Sequence, residues 1–350
     1  MITDTTTFER PPQSEAELED LLTKPTDATV DAVARLKGDL LILGAGGKMG
    51  PSLAVLARRS LSAAGLQHRV ICVSRFSVPG VAEQLERAGV ETISADLLDR
   101  RELDRLPDAP NVIYLAGMKF GTSGEPEQTW AQNCFLPAIV AERYRISRIV
   151  ALSTGNVYPL VPPLSGGATE ETPLEPVGEY AQSCVGRERM FEYMSRQYGT
   201  SVVLIRLNYA TDLRYGVLLD VAEQVRRGET VDISMPWVNV IWQGDANAIL
   251  LRAFDLASVP RSVLNLTGPD TVSVRELAER FASRFRLPPP TFAGQQAELA
   301  LLSNAQRCHE LFGPPRVSTD TLIEWVADWV EAEQPTLGKP THFETRDGSF

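Results

Sequence analysis

The sequence predicts an α/β protein built on a doubly wound parallel sheet, with a smaller lobe toward the C-terminus. Three observations carry this expectation. Between Asp39 and Arg206, short apolar runs alternate with amphipathic stretches of helix length, the pattern of βα repeats around a buried parallel sheet. The first of these runs leads directly into a glycine-rich turn. After Arg206 the regularity falls, and Pro236, Pro260, Pro269 and Pro288 to Pro290 punctuate the chain.

Taken in order, the chain begins with a helical extension over residues 1–37. Ser14 followed by Glu17 is a capping-box pattern, and Leu18, Leu21 and Leu22 then fall on one helical stripe, which predicts a helix over 14–23. A second helix starts near Asp27, aligns Val30, Val33 and Leu36, and stops at Gly38, a residue suited to a helix end. Such an extension covers the sheet or meets another subunit. Strands are expected at Leu40 to Leu43, Val70 to Val73, Val90 to Ile93, Val112 to Leu115, Ile149 to Leu152 and Val202 to Ile205. Residues 38–205 thus form the sheet domain. Residues 206–330 form mainly the smaller lobe, with some segments returning to the sheet. Residues 331–350 are polar and aperiodic, a mobile tail or a subunit-crossing arm.

Composition narrows the function classes. A chain of 350 residues, 43% hydrophobic, can fill a substantial core. A net charge of −11 argues against nucleic acid and against an anionic membrane surface, so phosphate-bearing partners are small and enclosed. Cys72, Cys134, Cys184 and Cys308 form no CxxC pair, and His68, His309 and His342 lack metal-ligand spacing. No metal and a reduced, cytoplasmic compartment are expected. There is no apolar run of membrane-spanning length, and residues 1–36 lack the basic-then-apolar order of a secretory signal. A homodimer is compatible with this composition.

The glycine turn reads Gly44-Ala45-Gly46-Gly47-Lys48-Met49-Gly50, with an expected strand before it and a helical stretch after it. Residues without Cβ let backbone N–H groups approach a pyrophosphate at the positive end of the next helix. The predicted fold is therefore a Rossmann-type dinucleotide-binding one, with residues 38–205 as the dinucleotide domain and 206–330 as the substrate lobe. Gly44, Gly47 and Gly50 give the spacing GxxGxxG, the form found in short-chain dehydrogenases. At the end of the second strand, Ser74-Arg75 stands where an NAD-preferring site carries an acidic residue. Arginine suits a 2′-phosphate, so NADP(H) is preferred with NAD(H) as the alternative. Asp96, before Leu97, either contacts adenine or caps a helix.

Further motifs extend the resemblance over most of residues 39–330, to the extended short-chain dehydrogenase/reductases, the group of NAD-dependent epimerases and dehydratases. Val112 to Lys119 resembles the fourth-strand segment of the UDP-galactose epimerase type, and Asn133 matches an asparagine of the following helix. The resemblance implies cofactor contacts from Leu115, Ala116, Gly117, Lys119 and Asn133, besides the glycine turn, Ser74, Arg75, Asp96 and Leu97. Leu152 to Tyr158 resembles the segment with the catalytic Ser/Thr, here Thr154. Tyr180-Ala181-Gln182-Ser183-Cys184 stands at the family's YxxxK, with the tyrosine present, implied both as catalytic residue and as cofactor contact, and the lysine replaced by Cys184. Arg206 to Tyr209 resembles the segment entering the substrate lobe. Thr154, Asn156 and Asn208 are the implied substrate contacts, and Arg214, in a loop of the substrate lobe, is a candidate contact to an anionic substrate.

Chemistry explains why these residue types are needed. Hydride transfer to or from a carbon bearing oxygen requires a proton to move at that oxygen, and Tyr180 can give or take it while Thr154 holds the same atom. A free tyrosine, with a pKa of about 10, is phenolate in about one molecule per thousand at pH 7, and a nearby ammonium improves that fraction. Cys184 supplies no positive charge. Arg187, seven residues after Tyr180 and within about 20° of its direction on a helix, and Lys119 are the candidate substitutes. The implied function is an NAD(P)-dependent oxidoreductase, epimerase or dehydratase acting on a small carbonyl or hydroxyl substrate of sugar or nucleotide-sugar type. The alternative is an NADP(H)-binding sensor or scaffold without turnover. A hydrolase is disfavoured because no GxSxG elbow exists.

Overall fold

Seven short segments pair side by side, every one parallel to its neighbour: β1 (Leu40–Leu43), β2 (Val70–Ser74), β3 (Glu91–Ser94), β4 (Asn111–Tyr114), β5 (Arg148–Thr154), β6 (Ser201–Leu207) and β7 (Ser262–Leu266). Their order across the sheet is β7-β6-β5-β4-β1-β2-β3. The computed structural model describes residues 10–119, 121 and 124–349; residues 1–9 of the expected extension and residue 350 of the expected tail lie outside the described residues.

Alternation of side chains along each strand divides the apolar residues between two layers. Leu40 and Ile42 enter a core with Val33, Leu53 and Ile249, whereas Leu41 and Leu43 enter one with Leu136, Val140 and Phe191. All four β1 residues are fully buried, which is why the strand reads as an unbroken apolar run. The chain doubles back between β1 and β4. At such a reversal the two crossovers leave in opposite directions and open a crevice at the carboxyl ends of the strands. The fold is thus a Rossmann-like α/β sheet with helices on both faces. No helix among the described residues is long and apolar enough to cross a membrane.

A third core lies beyond the sheet. It joins the helices Val217–Arg226, Val274–Arg284 and Thr319–Glu331, and it includes Leu18 and Leu22. The N-terminal extension is therefore divided: α1 (Glu15–Leu22) packs on this core, and α2 (Asp27–Ala34) packs against α3 (Gly50–Ala63) on the sheet. The expected capping box at α1 forms only by half. Ser14 Oγ accepts the Glu17 N–H at 3.3 Å, but the Glu17 carboxylate reaches Gln13 N–H at 2.9 Å and not Ser14. A complete box stands at α2 between Thr26 and Thr29, where a threonine does the work expected of Glu or Gln.

One buried network ties the sheet to the long helix Gly178–Tyr198. Arg206 of β6 pairs with Glu188 at 2.6 Å, Ser153 Oγ donates to the same carboxylate at 2.6 Å, and Arg206 Nη1 donates to Tyr158 Oη at 2.6 Å. Tyr158 in turn donates to Asn265 of β7 at 2.8 Å. Arg206 and Glu188 are almost completely excluded from solvent, so losing either alone would strand the other at a cost of about 3–5 kcal/mol.

The segment after Glu331, expected as a mobile tail or an arm to another subunit, lies against its own chain. Phe343 is buried, Arg346 Nη1 donates to the carbonyls of Ser234 at 3.1 Å and Leu299 at 2.7 Å, and Thr341 bonds Asp220. A single aromatic anchor with flanking hydrogen bonds fixes a polar segment that has no periodicity to announce it.

Candidate functional site

The crevice opens into a cavity of about 830 Å³ lined from both the sheet and the lobe. Gly44, at the end of β1, has φ +83°, and a Cβ there would stand 2.5 Å from the Ala116 nitrogen. Gly50 packs so closely that a Cβ would lie 2.2 Å from the Ala45 carbonyl oxygen. These two glycines are demanded by the protein's own packing. Gly47 differs: the nearest atom to an added Cβ is the Gly44 oxygen at 3.6 Å, so nothing in the chain itself requires glycine there. All six predicted residues of this turn, Gly44, Gly46, Gly47, Lys48, Met49 and Gly50, line the cavity.

The remaining predicted cofactor residues fall into two groups. Leu115, Gly117 and Lys119, after β4, reach the cavity wall. Ser74, Arg75, Asp96, Leu97, Ala116 and Asn133 do not line it. Ser74 Oγ nevertheless stands 2.5 Å from the position of a Cβ on Gly46, so β2 abuts the glycine turn. Arg75 is exposed and makes no hydrogen bond or ion pair among the described residues. Asp96 Oδ1 accepts the Leu98 N–H at 3.0 Å, and the next helix is capped by Asp99. Asn133 sits in a π-turn, Ala131–Phe135, where it exchanges hydrogen bonds with the Met118 backbone at 2.8 and 2.7 Å and donates to Ser183 at 3.0 Å. It braces the β4 segment from behind.

Thr154 and Tyr180 meet on one wall. Thr154 ends β5, donates to Asn156 Oδ1 at 3.1 Å, and is hydrogen-bonded by Tyr180 from the first turn of the long helix. Cys184 follows one turn later and also bonds the phenol. Burial pushes the Tyr180 phenol up, and the Arg187 guanidinium and the Thr154 bond oppose that rise. Burial likewise pushes the Cys184 thiol up. Arg187 is buried on the same helix face; Nη2 donates to Asn133 Oδ1 at 2.7 Å and Nη1 to the Leu152 carbonyl at 3.0 Å. Its Nε has no partner among the described residues.

On the lobe side, Asn156, Asn208 and Arg214 line the cavity. Asn208 Nδ2 donates to Asn239 at 2.7 Å, and Arg214 is paired with Asp212 at 2.9 Å and with Glu19 of α1 at 2.7 Å. Several wall residues carried no sequence signal. Glu19 arrives with α1, and Leu337, Lys339 and Thr341 arrive with the C-terminal segment. Among the described residues no group of His, Cys, Asp or Glu could hold a metal ion, and the four cysteines are free thiols.

The family described as "NAD dependent epimerase/dehydratase family" matches residues 40–232, more than half of the chain. No curated protein matches it in sequence. Among solved structures, it is similar to UDP-glucose 4-epimerase of Thermotoga maritima with UDP-glucose, at 19% identity and a TM-score of 0.69, covering 84% of this chain and 99% of that one. It is also similar to dTDP-glucose 4,6-dehydratase of Streptomyces venezuelae with NAD bound, at 18% identity and a TM-score of 0.70, covering 84% and 97%. A third likeness, UDP-glucose 4-epimerase of Thermus thermophilus with NAD, has 19% identity and a TM-score of 0.67 over 83% and 98% of the two chains. At these identities the likeness is one of fold.

Proposed function

The chain belongs to the NAD dependent epimerase/dehydratase family, and from that premise we propose that it is an NAD(P)-dependent enzyme acting on a sugar-like or nucleotide-sugar substrate, with Tyr180 as proton carrier. One observation supports this above others: the Tyr180 hydroxyl is bonded to Thr154 and lies beside a buried guanidinium. Residues 38–205 hold the dinucleotide in this reading, and 206–330 supply mainly the substrate lobe. Gly44 to Gly50 fit a diphosphate, since Gly47 leaves open the space a Cβ would take. Ser74 and Arg75 then face the adenosine ribose, Asp96 and Leu97 the adenine, and Leu115 to Gly117, Lys119 and Asn133 the opposite end. A nicotinamide held by these residues would supply or take up a hydride. Tyr180 moves the proton at the substrate oxygen, Thr154 holds that oxygen, and Asn156, Asn208 and Arg214 position the rest. Free thiols support a reduced, cytoplasmic setting.

Cys184 stands where the family motif has lysine, and Arg187 takes over the charge. With the guanidinium removed, only the Thr154 bond opposes the effect of burial on the phenol, so phenolate forms at higher pH. Arg187→Gln is expected to move the pH–rate profile of alcohol oxidation upward by about one unit, and Arg187→Lys to restore most of it. An unmoved profile would take Arg187 out of the proton step.

Cofactor choice is tested at Arg75. Wild type is expected to bind NADPH more tightly than NADH, and Arg75→Asp to invert that order, because the carboxylate repels a 2′-phosphate and accepts from ribose hydroxyls. Fluorescence titration with both nucleotides measures it; an unchanged ratio of dissociation constants would show that Arg75 does not read the phosphate. The function itself is tested by incubating the protein with UDP-glucose or dTDP-glucose and either cofactor and following product. Cys184 favours one second reading, an NADP(H)-binding sensor or scaffold, and tight binding with no turnover of any sugar nucleotide would select it.

A further inference from the structure

We propose that Lys48, Lys119 and Lys339 form a three-lysine site on the cavity wall that binds a phosphate or diphosphate group, with Lys339 delivered by the C-terminal segment; this rests on reading the cavity as the dinucleotide and substrate site. The chain has only five lysines, Lys24, Lys37, Lys48, Lys119 and Lys339, against 29 arginines. Three of the five line this one cavity. Apart from Lys24 and Lys37, the positive charge elsewhere is arginine, much of it paired with carboxylates, as in Arg280 with Asp320 and Glu324. A lysine ammonium is a compact charge on a flexible stem that can follow a phosphate oxygen, and three of them match a dianion better than one planar fork does.

Gathering like charges on a partly desolvated wall is unfavourable until an anion arrives. Burial, with the charges of Lys119 and Lys339, pushes Lys48 down to about 7, and burial pushes Lys119 down to about 8. Asp220 faces Lys48 and Lys119, and its carboxylate also accepts the Thr341 N–H at 2.8 Å and the Thr341 hydroxyl at 2.6 Å. Glu344 and Cys184 face Lys119, and Lys48 Nζ rests 3.1 Å from the centre of the Tyr215 ring. An added dianion restores full protonation and relieves the repulsion together.

The C-terminal segment is pinned on both sides of Lys339. Leu337 N–H donates to the Arg214 carbonyl at 2.9 Å, and the Thr341 carbonyl accepts from Lys119 Nζ at 3.4 Å. Lys339 stands at the exposed mouth between these anchors, so its replacement leaves the buried contacts of the segment in place.

The test is calorimetric titration of the full chain with inorganic pyrophosphate. Wild type is expected to bind it, and Lys339→Ala and Lys48→Gln each to bind about tenfold more weakly or worse. Displacement of pyrophosphate by NADH would assign the site to the diphosphate of the dinucleotide. Binding alongside saturating NADH, with displacement by UDP-glucose, would assign it to the substrate. Absence of pyrophosphate binding to wild type, or unchanged affinity in both variants, overturns the lysine site. If NADH binds while pyrophosphate does not, the functional reading stands without it; if pyrophosphate binds through the lysines while no dinucleotide does, the anion site stands and that reading falls.

Discussion

Tyr180→Phe is expected to lower turnover by about two to four orders of magnitude, the usual contribution of a positioned proton carrier, while changing NADH affinity by no more than about twofold. Tyr180 as a residue is only 9% exposed, so phenylalanine keeps the packing and removes only the hydroxyl that meets Thr154 and Cys184. Both directions of reaction should suffer. Reduction needs the neutral phenol as donor and oxidation needs the phenolate as acceptor. Because burial pushes this phenol up, wild type itself should reduce a carbonyl more readily at neutral pH than it oxidises an alcohol, with oxidation gaining as pH rises. Steady-state rates in both directions, with dissociation constants measured in parallel, settle the matter. Equal turnover in wild type and variant would remove Tyr180 from the chemistry, whereas NADH binding by both with turnover by neither would favour the sensor reading.

Gly47→Val is expected to weaken dinucleotide binding by more than about a hundredfold and to leave the protein folded. The side chain would fill the space through which backbone N–H groups approach a diphosphate, and losing two charge-assisted hydrogen bonds at about 1.5 kcal/mol each gives that order of magnitude. The neighbouring glycines supply the contrast. A Cβ at Gly44 or Gly50 collides with backbone at 2.5 and 2.2 Å, so alanine at either position should lower the melting temperature first and affinity only as a consequence. Melting curves and NADH titrations of Gly44→Ala, Gly47→Val and Gly50→Ala separate the two effects. Retained affinity in Gly47→Val would make this turn a turn and nothing more.

The parts of the fold legible in the sequence are those where one local pattern decides. β1 was readable to the residue because four consecutive apolar side chains are all buried, and β2 and β4 to within a residue at either end. The seven-residue spacing of Tyr180 and Arg187 was legible for the same reason, since a helix converts spacing directly into direction. Strand β3 was expected from Val90 and runs Glu91–Ser94, a shift natural at a sheet edge where one side is polar. Contacts between distant segments left no trace. Nothing near Glu19 announces Arg214, and nothing around Lys339 announces Lys48. The Glu188–Arg206 pair joins a helix residue to a strand residue 18 positions later, a contact no local pattern encodes, and the helix after β3 is capped by Asp99 while Asp96 accepts the Leu98 N–H.

The all-parallel ladder also governs how the chain reaches its native state. No two neighbouring strands can be joined by a tight hairpin, so each pairing must wait for a crossover to close, and the entropy of that closure is lost before any ladder bond forms. The wait is longest for β1 and β4, whose pairing must close the chain between Leu43 and Asn111, and β7 likewise pairs with β6 only after the chain between Leu207 and Ser262 has looped through the lobe. α1 precedes the whole sheet and yet packs on the lobe core. Sheet and lobe are therefore interleaved along the polymer, and neither can complete its core while the other is unfolded. Folding should be slow and cooperative across both, with the β6 edge exposed as the aggregation-prone surface of any intermediate that β7 has not yet joined.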